Sequence, residues 1–364
     1  MKRKITGTVA VLLAAVLLLP CKSQALSAQK AILLDAGTGR ALYEKNADSR
    51  SLIASTTKIM TALVVCEQCN VLDRMRIPKE AVGIEGSSMY LKEGEVLSLQ
   101  ELLYGLMLHS GNDAAVALAI YCGGTVEGFV QLMNDKACRL GLTGTHFENP
   151  NGLDSPGHYS TARDLAVLTA YAMKNPIFLQ TVSTKTVRIG QRTLTNHNKL
   201  LWRVDGADGV KTGYTRAAGR ILVSSASRNG RRLIAVTIND GNDWVDHKAL
   251  LEEGFAKYTV RKLITEGAVL GQRQIIGGEA GVASLIADNS FSYPLAAEEQ
   301  PEIVLSGPEL AFAPVVQGAS AGWAYVCLEG NVVGKVPLLY GETVEMKKPE
   351  KKKNFWEKWF GGTP

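Results

Sequence analysis

The chain has 364 residues, of which 46% are hydrophobic, and a net charge of +5 at neutral pH. This length predicts two domains, and the hydrophobic content supports a sizeable core and excludes wholesale disorder. The positive charge is concentrated at the ends: residues 1–25 carry four basic side chains, residues 347–364 carry a net +4, and the body between them carries −3. A nucleic-acid-binding protein needs a basic face on its folded part. The charge distribution therefore argues against nucleic acid as a partner.

The first 25 residues have the pattern of an export signal peptide. Residues 2–4 are basic, residues 5–19 are apolar, and residues 23–25 (Ser-Gln-Ala) form a small-residue cleavage site. The apolar stretch is too short for a stable membrane span. Cys21 raises the alternative of a lipid-modified cysteine, but Pro20 stands where that signal needs a small residue. We therefore expect an exported protein.

Residues 29–258 predict one α+β domain. It begins with a hairpin over 30–35 and 40–44, which is closed by a glycine-containing turn. Helices are predicted in the stretch that follows, at 53–65, 99–108, 113–121, 126–140 and 162–173. A second hairpin, at 221–227 and 233–238 around Asn229-Gly230, precedes a final helix at 245–258. Helices placed between two hairpins imply one antiparallel sheet completed from both ends of the domain, with a helical subdomain attached.

The composition changes again after residue 260. Short apolar stretches separated by Gly, Pro and Asn predict a small all-β domain over residues 260–345. The chain has no histidine beyond His247, so we expect this domain to be a spacer or a docking module rather than a catalytic one.

The last segment, residues 347–364, combines lysines with aromatic residues. On a helix its aromatic side chains would share one face, and they are Phe355, Trp356, Trp359 and Phe360. Basic residues 351–353 and Lys358 flank that face. An aromatic face with basic flanks is typical of an interfacial membrane anchor, which would bind an anionic membrane surface. The alternative is a disordered polar tail.

Five cysteines follow the predicted signal: Cys66, Cys69, Cys122, Cys138 and Cys327. An odd number excludes a fully paired disulfide framework within one chain. Cys66 and Cys69 have the spacing of a redox or metal motif, but they close an apolar helical run and no second Cys or His pair stands nearby. Buried helix cysteines are the favoured interpretation, and a disulfide to Cys122 or Cys138 stays open.

The string Ser55-Thr-Thr-Lys58 pairs a candidate nucleophile with a candidate base. Positions i and i+3 of a helix share a face, so the Lys58 amine is expected beside the Ser55 hydroxyl. A lysine with its ordinary pKa of about 10.4 would be protonated and could not accept a proton. Burial and a neighbouring cation lower a lysine pKa, and Lys211 is the candidate cation. Ser27 and Lys30 have the same spacing, so this string alone decides nothing.

Two further strings supply polar groups for a substrate. In Ser110-Gly-Asn112, a serine hydroxyl can relay a proton and an amide can hold a substrate amide. In Lys211-Thr-Gly213, Lys211 and Thr212 can hold a carboxylate, and Gly213 lets a substrate backbone approach closely. Each string has an ordinary structural alternative, namely a glycine-containing loop and an exposed edge strand.

In this order and setting, the three strings resemble those of the low-molecular-weight penicillin-binding proteins, the D-alanyl-D-alanine carboxypeptidases. Further similar stretches are residues 146–154 (His-Phe-Glu-Asn-Pro-Asn-Gly-Leu-Asp), 158–161, 164–166 and 208–215, with Ala218-Gly219. The resemblance covers about residues 30–258. It extends to the end of the chain, because such enzymes often carry a β domain and then an amphipathic helix on the membrane.

The resemblance implies a β-lactamase/transpeptidase-like fold and an acyl-enzyme formed on Ser55. Lys58 would be the general base, although the base for acylation in such enzymes is disputed. Ser110 and Asn112 would position the substrate and move protons. The implied partners are the peptidoglycan pentapeptide stem and β-lactam inhibitors, at the outer face of the cytoplasmic membrane or in the cell wall.

The resemblance also assigns the binding groups. Lys211 and Thr212 would grip the terminal carboxylate. The backbone N–H groups of Ser55 and Tyr214 would form the oxyanion hole. Neither a metal nor a cofactor is predicted.

The sequence disfavours three alternatives to a D,D-carboxypeptidase. A class A β-lactamase needs a separate carboxylate, usually in an E-x-x-L-N string, and the stretch Glu148-Asn-Pro-Asn151 has a different pattern. A catalytically weak cell-wall sensor is disfavoured by the intact S-x-x-K, S-x-N and K-T-G strings. A metallopeptidase is disfavoured because the five histidines show no H-x-x-x-H or comparable spacing.

Overall fold

The computed structural model describes residues 26–349. The predicted export signal (1–25) and nearly all of the predicted anchor (347–364) therefore lie outside the described residues. The described part of the chain divides into two compact units, with the boundary between residues 252 and 253. The sequence pattern predicts the domain boundary a few residues later, at 258–260. The two positions differ because the helix Asp243–Lys257 continues across residue 252.

Within residues 26–349, seven α-helices follow one another in chain order. They are α1 (Lys58–Gln68), α2 (Leu99–Leu108), α3 (Asn112–Gly123), α4 (Val126–Arg139), α5 (Ala162–Ala172), α6 (Pro176–Ser183) and α7 (Asp243–Lys257). Side-chain caps explain several of the starts. Ser98 and Glu101 form a reciprocal capping box at α2, and the Thr161 hydroxyl accepts the N–H of Asp164 at α5.

Nine strands belong to the first unit. They are β1 (Lys30–Asp35), β2 (Ala41–Lys45), β3 (Arg74–Arg76), β4 (Val96–Ser98), β5 (Thr186–Ile189), β6 (Arg192–Thr195), β7 (Ala207–Thr215), β8 (Gly219–Arg228) and β9 (Arg231–Ile238). Five of them form one antiparallel sheet in the order β2-β1-β9-β8-β7. The predicted sheet completed from both ends is therefore confirmed.

Helices cover both faces of this sheet. Helix α5 packs against β1 and β9, and α6 packs against β7. On α7, the buried His247 ring bridges two strands through Ser224 on β8 (2.6 Å) and Thr237 on β9 (2.9 Å). Burial lowers the pKa of His247 to about 3, so the ring is a neutral structural link at physiological pH.

The main difference from the predicted helices lies at the start of α1. The pattern predicted a helix from residue 53, whereas residues Ala54–Thr57 form a 3₁₀ turn and the α-helix begins at Lys58. Ala54 has a positive φ of 46°, a conformation that an α-helix does not allow. The sequence pattern also did not predict helix α6 or the small β5–β6 hairpin.

The favoured interpretation of the cysteines was partly wrong. Cys69, at the end of α1, is bonded to Cys122 on α3, and the bridge spans 53 residues of sequence. Cys66 is a free, half-buried thiol, and burial raises its pKa to about 12. Cys138 is free and exposed, and Cys327 is free and half-buried.

The described part of the second unit is built from strands, as the composition predicted. They are β10 (Thr259–Ile264), β11 (Val269–Ile276), β12 (Val282–Ala287), β13 (Phe291–Leu295), β14 (Glu302–Ser306), β15 (Leu310–Phe312), β16 (Ser320–Leu328) and β17 (Asn331–Tyr340). Six strands form a sheet in the order β14-β16-β17-β12-β11-β15, and β10 pairs with β13. Its core includes Leu285, Val326 and Leu338.

Over residues 26–349, no single helix has both the length and the apolar composition to cross a membrane. One pair of helices, α3 and α4, meets both criteria when taken together, with a bend of 84° at the break between them.

Candidate active site

Ser55 lies in the 3₁₀ turn that leads into α1. Residues three apart superpose along a 3₁₀ turn, so Ser55 and Lys58 still share a face although the turn is not α-helical. Ser55 is half-buried and borders a cavity, whereas Lys58 is fully buried. The turn therefore presents the hydroxyl to solvent and keeps the amine inside the protein.

The Lys58 amine is held by three oxygen atoms. Its Nζ lies 3.0 Å from Ser55 Oγ, 2.7 Å from Asn112 Oδ1 and 2.5 Å from the backbone oxygen of Asn151. The predicted contact between nucleophile and base is present in the structure. Asn151 was not predicted, because it contributes a backbone atom.

The second buried amine belongs to Lys211 on β7. Its Nζ donates to the backbone oxygen of Thr212 at 2.8 Å, and the residue is only 1% exposed. Burial lowers the pKa of Lys211 to about 7. Burial first, and then the charge of Lys211, hold the pKa of Lys58 well below its ordinary value, and only the Asp113 carboxylate opposes this shift.

Strand β7 carries the K-T-G string past the serine. A Cβ atom added to Gly213 would stand 3.2 Å from the backbone oxygen of Ile53 and 3.3 Å from the backbone nitrogen of Ser55. The strand therefore passes directly beside the Ser55 N–H. Tyr214, the next residue, lines the same cavity with its side chain 67% exposed. The backbones of the two predicted oxyanion-hole residues are thus brought together.

Ser110 and Asn112 occupy the tight link between α2 and α3. Ser110 has a positive φ of 64° and lines the cavity. The Asn112 side chain accepts from Lys58 and donates to the backbone oxygen of Glu85 at 2.5 Å. The neighbouring Asp113 carboxylate is buried and accepts from Met89 N (3.1 Å) and Leu91 N (3.0 Å). This link thus fixes both the serine and the loop that faces it.

A loop from residue 148 to 158 supports the nucleophile turn from behind. Gly152 has a φ of +87°, and a Cβ on it would stand only 1.9 Å from the backbone oxygen of Ala54. His158 accepts the N–H of Glu148 at Nδ1 (3.1 Å), so its Nε2 carries the proton and donates to the Thr57 hydroxyl at 2.7 Å. Burial lowers the pKa of His158 to about 4, which keeps the ring neutral.

The cavity in front of Ser55 has a volume of about 380 Å³. It brings together Ser55, Ser110, Thr212, Gly213 and Tyr214 from the predicted set. It also contains side chains that the sequence analysis did not single out: Ser87, His197, Lys199, Arg220, Ile221, Asp243 and Trp244.

Arg220 adds a second cation to this cavity. It lies on β8 directly opposite Tyr214, and its guanidinium Nη2 donates to both carboxylate oxygens of Asp243, at 2.8 and 2.7 Å. The side chain is 46% exposed and lines the cavity, so the guanidinium is accessible to a ligand there. Arg220 belongs to none of the three sequence strings. Only the pairing of β8 with β7, which sets Arg220 opposite Tyr214, shows that it lies at the site.

Within the described ranges, no group of three or more His, Cys, Asp or Glu side chains could hold a metal ion. The arrangement instead provides a serine hydroxyl, a buried amine of lowered pKa, two flanking backbone N–H groups and an arginine. These parts define a serine-type peptidase that acts through an acyl-enzyme.

Comparison with known proteins agrees with this class. Residues 20–242 match the family described as D-alanyl-D-alanine carboxypeptidase (peptidase S11), and residues 258–346 match the family described as penicillin-binding protein 5, C-terminal domain. D-alanyl-D-alanine carboxypeptidase DacF of Bacillus subtilis is 32% identical over 339 residues, which cover 88% of this chain and 86% of the relative. The chain therefore belongs to the D-alanyl-D-alanine carboxypeptidase family of serine peptidases.

Solved structures give the same result. Penicillin-binding protein 5 from Haemophilus influenzae superposes with a TM-score of 0.76 at 30% identity, covering 88% of this chain and 98% of that one. A single-residue variant of the Streptomyces K15 DD-transpeptidase superposes with a TM-score of 0.62 at 36% identity, covering 64% of this chain and 99% of that one. The predicted transpeptidase-like α+β fold followed by an all-β domain is confirmed.

Proposed function

We propose that this enzyme removes the terminal D-alanine from peptidoglycan pentapeptide stems through an acyl-enzyme on Ser55, and that penicillin acylates the same serine. The observation that carries the proposal is the 3.0 Å contact between Ser55 Oγ and Lys58 Nζ, in a site where burial and Lys211 lower the pKa of Lys58. A neutral amine at this distance can accept the hydroxyl proton.

In the first step, Ser55 Oγ attacks the carbonyl carbon of the penultimate D-alanine while its proton passes to Lys58 Nζ. The negative charge that forms on the carbonyl oxygen is stabilised by the backbone N–H groups of Ser55 and Tyr214. The C–N bond then breaks, and the leaving amine takes the proton from Lys58, directly or through the Ser110 hydroxyl. The products of this step are free D-alanine and an ester on Ser55.

In the second step, water attacks the ester. Lys58 accepts a proton from the water, and the Ser55 oxygen leaves and recovers a proton from the lysine. Among the described residues that line the cavity, Asp243 is the only carboxylate, and it is paired with Arg220. A free carboxylate that would speed hydrolysis of a penicilloyl ester is thus not in position, which supports a peptidase rather than a β-lactamase.

The substrate ends in a carboxylate, and three groups are candidates to bind it. Thr212 and Arg220 line the cavity, and the buried Lys211 precedes Thr212 on β7. Thr212 supplies a hydroxyl, and Lys211 supplies a charge that is only partly present near neutral pH, because its pKa lies at about 7. Arg220 presents a planar guanidinium fork, which suits a carboxylate. We therefore propose that Arg220 shares the carboxylate-binding role that the sequence assigned to Lys211 and Thr212.

Penicillin labelling tests the nucleophile. Wild-type protein should gain the mass of one penicillin molecule and should release D-alanine from diacetyl-Lys-D-Ala-D-Ala. Ser55→Ala should abolish both results while leaving the thermal unfolding temperature within a few degrees of wild type. Ser27→Ala, which alters the other serine with S-x-x-K spacing, should retain labelling. A covalent adduct on the Ser55→Ala protein would show that the nucleophile has been misassigned.

We further propose that residues 1–25 direct export and that residues 347–364 attach the enzyme to the outer face of the cytoplasmic membrane. Peptidoglycan, on which penicillin-binding proteins act, lies outside the cytoplasm, so this location brings enzyme and substrate together. The lysines of the tail are each expected to contribute roughly 1 kcal/mol near an anionic surface. The aromatic side chains add a part that salt does not screen.

Vesicle co-sedimentation tests the anchor. Protein lacking residues 347–364 should stay in the supernatant with anionic vesicles, while its activity on the small peptide is unchanged. Full-length mature protein should sediment at low salt and partly at high salt. Equal sedimentation of the two proteins would contradict the anchor.

A further inference from the structure

A second cavity, of about 670 Å³, adjoins the active-site cavity. It is lined by His109, Thr193, Thr195, Asn196, His197, Lys199 and Trp202. His197 and Lys199 line both cavities. A ligand that fills the active-site cavity can therefore continue into the second one without leaving the surface of the same unit.

One wall of this second cavity is the segment that leads from β6 to a 3₁₀ turn at Lys199–Trp202, and exposed and buried residues alternate along it. Residues 193, 195, 197 and 199 are exposed, and residues 194, 196 and 198 are buried. The Asn196 amide donates to the backbone oxygens of Val182 and Thr184, both at 3.1 Å, and its oxygen accepts the N–H of Asn198 at 2.9 Å. The buried asparagines hold the segment in place, so the exposed side chains form a fixed row that begins at the active site.

The cavity is positively charged and contains one large aromatic ring. Lys199 lies in the row, and the Nζ of Lys185 stands 5.8 Å from the Trp202 ring, which is half exposed. No Asp or Glu lines the cavity, and over residues 26–349 neither lysine forms an ion pair. The His109 and His197 rings lie 5.1 Å apart. Burial, and then the charge of Lys211, lower the pKa of His197, so the lysines supply the positive charge.

The chemistry of the reaction decides which end of the substrate reaches this cavity. On the leaving side of the scissile bond there is one residue, which ends in a carboxylate and needs no more room than the active-site cavity. On the acyl side the peptide continues. Only the acyl side therefore has residues left over to occupy the adjoining space, at about 3.3 Å per residue in an extended peptide.

We propose that the second cavity is a binding subsite for the acyl side of the substrate and that it selects a peptide segment carrying a free carboxylate. This inference rests on the proposed peptidase function and adds a specificity to it. Lys199 binds the carboxylate, and the Trp202 ring covers the aliphatic part of the segment. The two threonine hydroxyls and the imidazoles provide further hydrogen bonds.

Three synthetic substrates measure this preference on the full mature chain. All end in Lys-D-Ala-D-Ala, and the residue before the lysine is absent, glutamine or glutamate. We expect kcat/KM to be about fivefold to tenfold higher for the glutamate peptide than for the glutamine peptide, since a hydrogen-bonded charge pair contributes on that order. The glutamate-to-glutamine ratio within one protein cancels any general loss of activity.

Two variants and one control test whether Lys199 and Trp202 cause this preference for the glutamate peptide. Lys199→Met should lower the ratio to about one, whereas Lys174→Met, which removes an exposed lysine outside both cavities, should leave it unchanged. Trp202→Ala should raise KM for both extended peptides more than for the short one. An unchanged ratio in Lys199→Met would overturn the proposal. So would a Trp202→Ala effect of equal size on all three peptides, because the ring would then not contact the residue before the lysine.

Calorimetry on the Ser55→Ala protein separates this proposal from the enzymatic one. The same three peptides should bind in the same order of affinity although none is cleaved. If wild-type protein released no D-alanine from any peptide but the glutamate peptide still bound best to Ser55→Ala, the proposed reaction would fail and the subsite would stand. Equal affinities would overturn the subsite, whatever the turnover.

Discussion

Two lysines are buried in the active site, and neither forms an ion pair with any residue from 26 to 349. Lys58 and Lys211 are 0% and 1% exposed. Burying an ammonium group costs free energy, and two of them near each other also repel. Burial lowers both pKa values, so that uncharged amine is available for proton transfer. The arrangement that makes Lys58 a base is therefore also a source of instability.

Lys211→Met should stabilise the protein and leave only residual activity. The folded-state pKa of Lys211 is about 7, below the unfolded value of about 10.4, so between these pH values the unfolded state binds more protons. Wild-type stability therefore rises with pH across this window. The variant lacks this dependence, so its thermal unfolding temperature should exceed the wild-type value by several degrees below pH 7 and by little near pH 10.

Thermal unfolding from pH 6 to pH 10 measures this difference, with Lys174→Met as the matched exposed control. In a parallel pH–rate profile, the residual acylation by penicillin should need a higher pH, because Lys58 no longer feels the charge of Lys211. A temperature difference that stays constant with pH would contradict burial of the charge as the cause.

The motif residues were predictable because their chemistry is in their side chains. Ser55 and Lys58 were paired by a spacing of three, and a 3₁₀ turn preserves that pairing as well as an α-helix does. Asn151 contributes a backbone oxygen, which any residue type has, so no pattern could reveal it. Arg220 became visible only through the register of β7 against β8.

At the scale of elements, the loop behind the nucleophile turn is the least replaceable part of the site. Ala54 holds a positive φ, and Gly152 leaves room for its carbonyl. The same loop offers the Asn151 oxygen to Lys58 and anchors itself through His158. A displacement here would move both members of the Ser55–Lys58 pair without touching either residue.

Gly152→Ala should therefore reduce the rate of acylation by penicillin at least about a hundredfold, since a shift of about 1 Å costs that much. Gly190→Ala is the matched control: this glycine also has a positive φ, 57°, but a Cβ there would meet nothing within 4 Å. The control should lose only about 1 kcal/mol of stability from backbone strain and keep its rate. Comparable rates in the two variants would argue against the loop as a support of the site.

Most elements could be predicted because apolar periodicity marks them. Helix α2 was predicted with its bounds, residues 99–108. The cysteine pair shows the limit of such patterns: Cys69 and Cys122 end up bonded because α1 and α3 pack together, and sequence spacing carries no information about that packing. The short β5–β6 hairpin has only four residues per strand, too few for a clear alternation.

At the scale of the whole molecule, the first unit contains every residue of the proposed chemistry. The matched Streptomyces K15 structure is covered to 99% of its length by 64% of this chain, so a protein of this fold exists without a second unit. Helix α7 ends at Lys257, one residue before the start of the match to the C-terminal family.

A chain of residues 26–258 should therefore fold and hydrolyse diacetyl-Lys-D-Ala-D-Ala with a kcat/KM within about twofold of the full-length value. Circular dichroism and D-alanine release would measure both properties. A chain of residues 26–242, which lacks α7 and with it the buried His247 link to β8 and β9, serves as the contrast and should not fold. Loss of activity in the longer chain would mean that the second unit contributes to catalysis.

The central sheet also determines when, during synthesis, the enzyme can become active. Strand β1 lies between β2 and β9, so the sheet is complete only when Lys30 has paired with Ile238. Closing so long a loop is slow compared with forming a helix or a local hairpin. The helical segment that carries Ser55 leaves the ribosome long before β7, which carries Lys211. A partly made chain therefore has the nucleophile but not the second lysine, and we expect that no substrate can acylate Ser55 until nearly the whole first unit has been synthesised.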